Sequence, residues 1–393
     1  MESTRGWAEK EASADPLAVF AKDFLIPEGT LALNGNSLGP PAAAVPIALS
    51  NAVRQWSEHL IRGWWDDGWW DAPERVGDRI GRLMGAGPGQ VVVGESASVQ
   101  LFNALTAAVR LVPERRVLIA DAGNFPTDRY LAASVARLLG LRLVETSMND
   151  LPGALARHAG QVGAVLCGAV DFRTGELWDV PGLTTAIHQA GGVSVWDLSH
   201  AAGAVPVQAD AAGVDLAVGC GYKYLSGGPG APAFLYAARR HHHALDFAVT
   251  GWHGHADPFA MSASFVPADG ITRARTGTPQ ILSLLALEAA LEPLEAAGMA
   301  AVRAKSLRLA DYLFALVADL DSVEIVTPRD PHRRGNHVTL RLPDAVAVAE
   351  SLARRGVIVD ERPPDLLRIC LNGLYISWTD VYDAVTHLRE VLR

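Results

Sequence analysis

The 393-residue sequence predicts an α/β protein: a large domain built on a mostly parallel sheet, followed by a smaller α+β domain. Three observations carry that expectation. Between residues 115 and 237 short apolar runs alternate with helical patterns, the rhythm of βαβ units. After about residue 280 the texture changes to two long helical patterns and then shorter strands. No internal repeat or low-complexity linker interrupts either region.

The elements follow in order. RRVLIA (115–120) has the apolar run of a buried strand, and PTDRYLAASVARLLG (126–140) is a helix opened by proline with an acidic residue in its first turn. LRLVET (141–146) reads as a strand, LPGALARHAG (151–160) as a helix and VGAVLCGAV (162–170) as a strand. GLTTAIHQAG (182–191) is a helix closed by glycine, and VSVWD (193–197) is the next strand. LAVGC (216–220) and APAFLYA (231–237) continue the pattern. Helical patterns at 279–297 and 299–319 lead to strands near 322–326, 336–342 and 366–371, with helices at 345–355 and 379–392. The domains expected are therefore 51–280 and 281–393. Residues 1–50 are too short to fold alone and are expected to pack on the smaller domain.

Composition narrows the function. Apolar residues make up 49% and charged residues 20%, as in a protein with a large core. The net charge of -9, without a long basic run, argues against nucleic acid and anionic membrane as partners. No apolar stretch approaches the roughly 20 residues that span a bilayer. The start, MESTRGWAEKEASADP, lacks the apolar region of a secretory signal. Cys167, Cys220 and Cys370 have neither disulfide-framework nor zinc spacing. A cytoplasmic protein is expected.

Two residues solve one chemical problem together. Asp197 ends a buried strand, where parallel sheets place ligand-binding groups, and Lys223 follows the next strand inside the glycine-rich GCGYKYLSGGPGAPAF (219–234). Pyridoxal phosphate needs a lysine to hold its aldehyde as a Schiff base and a carboxylate to keep its pyridine nitrogen protonated. His200, three residues past Asp197, is placed to sit near the same ring. A phosphate needs a separate cradle, and GESASVQLFNAL (94–105) is a strand-to-helix turn whose backbone N–H groups and Ser98 can face an anion. Tyr222 offers a phenol either to that phosphate or to a proton transfer. In GNFPTD (123–128), Phe125 can stack on a ring and Asp128 can reach a polar substituent. Arg368, in LLRICLNGLY (366–375), can hold a carboxylate in a bidentate fork. The triplet His241-His242-His243 reads as a solvated helix face or turn, and no metal is expected.

With these residues in hand, the sequence resembles kynureninase, a pyridoxal-phosphate enzyme of fold type I with a seven-stranded central sheet. The likeness runs over nearly the whole chain. Its pieces are LNGNSLGP (33–40), LIRGWWDDGWW (60–70), NFPTD (124–128), WDLSHAAGAVPV (196–207), GCGYKYLSGGPG (219–230), GWHGH (251–255), RTGTPQI (275–281) and LRICLNGLY (367–375). The resemblance implies pyridoxal 5'-phosphate as cofactor, with Lys223 as the Schiff-base lysine and Asp197 at the pyridine nitrogen. It implies Phe125 stacked on the ring with Pro126, Thr127 and Asp128 beside it, and His200 and Gly168 close by. Ala97 through its backbone, Ser98 and Tyr222 would hold the phosphate. Trp252 and Thr278 would come from a partner subunit, so a homodimer with a shared active site is implied. Arg368, Trp64, Asn36, Ser37 and Gly277 would contact a small amino-acid substrate. The implied activity is hydrolysis of L-kynurenine, or a ring-substituted kynurenine, to an anthranilate and L-alanine, with Tyr222 as a candidate general acid/base.

Several positions depart from the family pattern. Ala97 stands where many relatives carry a hydroxyl, Gly168 where serine or threonine is frequent, and His253 where GWFGH is usual. Trp65 and Trp70 add bulk around Trp64. The nearest rival is a cysteine desulfurase or selenocysteine lyase. It needs a cysteine on a mobile loop, and all three cysteines lie in strand patterns. A nicotinamide enzyme is excluded because no GxGxxG follows the first strand.

Overall fold

A computed structural model describes residues 4–393, so Met1–Ser3 of the expected N-terminal segment lie outside the described residues. The chain begins with α1 (Arg5–Ser13), β1 (Leu31–Ala32), α2 (Ala44–His59), α3 (Gly63–Asp66) and α4 (Ala72–Leu83). Next come β2 (Val91–Val93), α5 (Ala97–Leu111), β3 (Val117–Asp121), α6 (Pro126–Leu139), β4 (Arg142–Thr146), α7 (Leu151–Arg157) and β5 (Val162–Gly168). They are followed by α8 (Val180–Gln189), β6 (Val193–Asp197), β7 (Leu216–Gly219) and β8 (Phe234–Ala237). The remainder comprises α9 (Ile281–Ala290), α10 (Glu292–Ala297), α11 (Met299–Leu316), β9 (Glu324–Ile325), β10 (His337–Arg341), α12 (Ala345–Ala353), β11 (Val357–Ile358), β12 (Asp360–Arg362), β13 (Leu366–Cys370) and α13 (Trp378–Val391).

Seven strands form the large sheet in the order β2-β8-β7-β6-β5-β3-β4. β8 runs antiparallel to both its neighbours, and the pairs from β7 to β4 are parallel. These strands read as unbroken apolar runs because both faces of the sheet are covered. Alternate residues enter different cores: Ile119, Val165, Cys167 and Trp196 on one face, and Leu118, Ala164, Leu166 and Val195 on the other.

The smaller antiparallel sheet has the order β12-β13-β10-β9. The chain's start is tied to this region. β1 pairs in parallel with β11, and Cys370 N donates to Leu33 O at 2.7 Å. Lys305 on α11 meets Asp15 at 2.7 Å, with both side chains buried. α2 packs elsewhere, against α9. Gly39 N donates to Tyr222 O at 2.9 Å, so residues 33–39 run from β13 to the Lys223 loop.

Three local expectations change. The helix expected over 279–297 is two, α9 and α10, because Pro293 lacks an N–H and suits the first turn of a new helix. Of the histidine triplet only His243 is solvent-exposed: the three lie on a short 3-10 helix, His242 is buried against Ala237 O, and His241 pairs with the buried Asp215 at 2.8 Å. β1, β11 and β12 are too short to leave a periodic signal. Among the described residues, no group of three or more His, Cys, Asp or Glu is placed to hold a metal ion.

The Lys305–Asp15 pair gives a direct test of how the N-terminal segment is held. Lys305→Ala leaves Asp15 buried without its cation and should cost about 3–5 kcal/mol in urea unfolding. A loss below about 1 kcal/mol, the worth of an exposed pair, would show that other contacts hold the segment.

Candidate active site

The parallel strands deliver their C-terminal ends to one cavity. Asp197 closes β6 and accepts a hydrogen bond from Ser199 N at 2.8 Å. Gly168 closes β5 in register with Asp197. A Cβ on Gly168 would lie 3.0 Å from Asn124 Oδ1, so the glycine leaves room for that side chain. Asn124 in turn donates to Asp128 Oδ2 at 2.9 Å and accepts from Phe125 N at 2.8 Å. Asp128 is buried and hydrogen-bonded to Asp197. Burial first, and then the neighbouring Asp197, push the Asp128 carboxyl well above the ordinary carboxylate range, with Lys223 pulling the other way.

Lys223 Nζ lies 3.0 Å from His200 Nε2 and 5.8 Å from the centre of the Tyr222 ring. Burial and then the Lys223 charge drive the His200 pKa well down, so the imidazole is neutral and Nε2 accepts from the lysine. The proton of His200 then sits on Nδ1, which is buried without a partner. Burial also raises the Tyr222 phenol to about 12, leaving it a proton donor at physiological pH.

Tyr222 borders a cavity of about 500 Å³, lined also by Ser37, Glu95, Ser96, Ala97 and Gln280 among others. Ser96 caps α5 by accepting from Val99 N. Ala97 and Ser98 occupy the first turn, where N–H groups have no acceptor within the helix and can meet an anion. Phe125 is 42% exposed and meets Phe172 edge-on at 5.2 Å; Pro126 and Thr127 follow it in the first turn of α6. An amine, an acid pair, an aromatic face, an unpartnered buried Nδ1 and a helix start fit the aldehyde, ring and phosphate of pyridoxal 5'-phosphate.

Arg368 reaches the same region from β13. It is fully buried, and its guanidinium donates to Phe172 O, to Ser37 Oγ at 2.8 Å and to Asp360 Oδ2. The Asn36 amide oxygen accepts from Arg368 Nη2 and Nε at 3.2 and 3.3 Å. Ser37 Oγ also donates to Asp360.

Trp64, Trp252, Gly277 and Thr278 form a separate group. Trp64 packs edge-on against Trp69 and Trp70 at 6.1 and 6.4 Å, and Trp70 meets Trp252 at 5.6 Å. Trp252 is 40% exposed, and Gly277 and Thr278 are exposed. His253 is buried under Trp70 at 4.5 Å, with Nε2 3.2 Å from Arg275 Nη1, while Arg275 is fixed by Glu74 at 2.6 Å. Among the described residues, no hydrogen bond or ring contact joins this aromatic group to Lys223.

Sequence reasoning missed Asn124, Phe172, His337 and Asp360. His337 is buried 5.5 Å from His200, with both ring nitrogens unpartnered. A histidine entering an otherwise apolar strand, RGNHVTL, was its available signal. Asp360 and Phe172 carry none, because only folding brings them to Arg368.

The family description "Kynureninase C-terminal domain" matches residues 302–388. The kynureninase of Deinococcus radiodurans is 45% identical over 388 residues, covering 96% of this chain and 94% of that protein. The chain belongs to the kynureninase family. The kynureninase of Burkholderia pseudomallei is 41% identical over 390 residues, with 96% and 93% covered. Cysteine desulfurases share the fold. The CsdA enzyme of Escherichia coli superposes with a TM-score of 0.81 at 17% identity, covering 96% of this chain and 98% of that one. The enzyme of Thermococcus onnurineus NA1 gives 0.83 at 18%, covering 95% and 97%. Here the kynureninase-family chain lacks what a desulfurase needs, since Cys167, Cys220 and Cys370 are all buried and burial raises each thiol pKa.

The buried His253 has a measurable consequence. Burial, and then Arg275, lower its pKa to about 4, whereas the unfolded chain takes up that proton near pH 6.5. The unfolded state thus binds more protons between those values, and stability falls as pH drops from 6.5 toward 4. Urea unfolding of His253→Phe should lose about 2–3 kcal/mol less than the parent between pH 7 and 4.5. Equal acid losses in the two proteins would refute a neutral buried His253.

Proposed function

We propose that this kynureninase-family protein hydrolyses L-kynurenine, or a ring-substituted kynurenine, to an anthranilate and L-alanine with pyridoxal 5'-phosphate. The full-length identity to curated kynureninases carries this reading. The Lys223–His200–Asp197–Asp128 cluster beside an anion-accepting helix start supplies its chemistry.

When bound, pyridoxal phosphate supplies an electron sink that lets the α- and β-carbons of an amino acid carry negative charge. Lys223 moves the proton at the substrate Cα, and His200, neutral, orients its amine. Asp197 would hold the proton on the pyridine nitrogen. Burial and Asp197 raise the Asp128 carboxyl, so Asp128 would act beside Asp197 as a hydrogen-bond donor when protonated. The α5 start at Ala97 and Ser98, with Tyr222, would hold the phosphate, and Phe125, Pro126, Thr127 and Gly168 would frame the ring. Arg368, with Asn36 and Ser37, holds the substrate carboxylate, while Trp64 and Gly277 face the aryl group. Water adds at the γ-carbonyl and the Cβ–Cγ bond breaks. Tyr222 then donates its phenol proton at the β-carbon of the departing alanine.

We further assign a homodimer in which the partner copy supplies Trp252 and Thr278 to the cofactor site. Exposed Trp56, Leu60, Ile61, Trp65 and Trp252 on one face support that reading, since apolar patches of this kind mark interfaces. A cytoplasmic location and a place in tryptophan breakdown or NAD formation follow the same family reading. No described helix is long and apolar enough to cross a membrane.

Turnover of L-kynurenine and 3-hydroxy-L-kynurenine by the cofactor-loaded protein tests the activity. The parent should form the corresponding anthranilate from at least one of them, and Lys223→Ala should lose about 10⁴-fold or more. No product from either substrate, with the cofactor bound, would overturn the assignment. Ile61→Glu should shift the species in sedimentation from dimer to monomer and weaken cofactor retention; an unchanged dimer would remove this face from the interface.

A further inference from the structure

Arg368 already carries a counter-charge in this structure. Asp360 shares its carboxylate between two arginines, Oδ2 with Arg368 and Oδ1 with Arg362. Antiparallel pairing of β12 and β13 sets Asp360 directly opposite Arg368, and Arg362 follows two residues later on the same face of the strand. Among the described residues, neither arginine has another ion-pair partner. Arg368 with Asp360 sums to zero, and a neutral pair has little attraction for an anion. Arg362 restores a net charge of one. Its side chain is 32% exposed, against 11% for Asp360 and none for Arg368, so the added cation sits at the rim and the anion-holding head is inside.

We propose that Arg362 is a positioning residue for the substrate carboxylate: it neutralises Asp360 and so leaves Arg368 free to hold the incoming anion. The proposal rests on the reading of Arg368 as the carboxylate holder. Asp360 meanwhile fixes the Arg368 head beside Ser37, and Ser37 donates to the same carboxylate oxygen. The field of the two guanidiniums extends into the site. After burial, Arg368 and Arg362 are both among the charges that keep His337 and His200 unprotonated.

Steady-state kinetics and spectral titration with L-alanine test this on the cofactor-loaded enzyme. Arg362→Gln should raise KM and the L-alanine dissociation constant about tenfold with kcat within about twofold, and Arg362→Lys should recover most of the loss. Adding Asp360→Asn to Arg362→Gln returns the net charge to one, so affinity should recover to within about threefold of the parent. A purely structural Arg362 predicts the opposite, a deeper loss in the double variant. Unchanged KM in Arg362→Gln, or that deeper loss, overturns the proposal, provided Arg368→Lys raises KM. If Arg368→Lys leaves both constants unchanged while the cofactor spectrum is intact, the carboxylate reading of Arg368 itself fails. Should Arg362→Gln not fold, the double variant decides: near-parental affinity supports the charge balance, and a loss beyond about tenfold refutes it.

Discussion

Much of this structure is organised around holding charge away from water at one edge of a sheet. Asp128, Asp197 and Lys223 share a pocket behind the ends of β5 and β6, and two adjacent buried carboxylates are not both readily ionised. Burial and its neighbour raise the Asp128 carboxyl, one cation lies within reach, and a neutral imidazole accepts from that cation at 3.0 Å. The surrounding elements serve that arrangement. Gly168 yields space to Asn124, Asn124 orients Asp128, and the helix α6 begins there so that Asp128 falls in its first turn.

The same economy of charge appears where the smaller sheet meets the large one. Arg368 is buried deeply enough to need partners at every turn, and it draws them from three separated stretches: Asn36 and Ser37, Phe172, and Asp360. Residues 33–39 connect this knot to the lysine loop through Gly39 and Tyr222. Movement of the smaller sheet would therefore be felt at the carboxylate-holding arginine and beside Lys223 together. The N-terminal segment is a strap between two parts of the site as well as a cover for the smaller domain.

Fold and chemistry part company in the comparison with desulfurases. At 17–18% identity those enzymes share the architecture, which says little about which bond is broken. The difference resides in side chains. Three buried cysteines deny this chain an accessible sulfur, while an aromatic cluster around His253, with Trp64, Trp70 and Trp252, offers a flat apolar environment near the exposed Gly277–Thr278 turn. The neutral imidazole of His253 fills the cluster and gives Arg275 a lone pair to bond.

By itself the sequence determined the alternation of strands and helices, because a sheet buried on both faces demands continuous apolar runs and the crossovers from β3 through β6 each carry a helix. It also determined the lysine, the aspartate and the helix start that fit the cofactor, because those groups lie at strand and helix ends that periodicity locates. Tertiary structure alone decided what the periodic signal does not contain. β12 is three residues long, yet its register puts Asp360 against Arg368, and Ser37 arrives there from 323 positions earlier. It also turned His241 onto Asp215, and set His337 beside His200. Such pairings depend on strand register and on the packing of distant segments. Local sequence specifies neither, because the energy that selects them comes from burying charges and rings that meet only when the chain has closed.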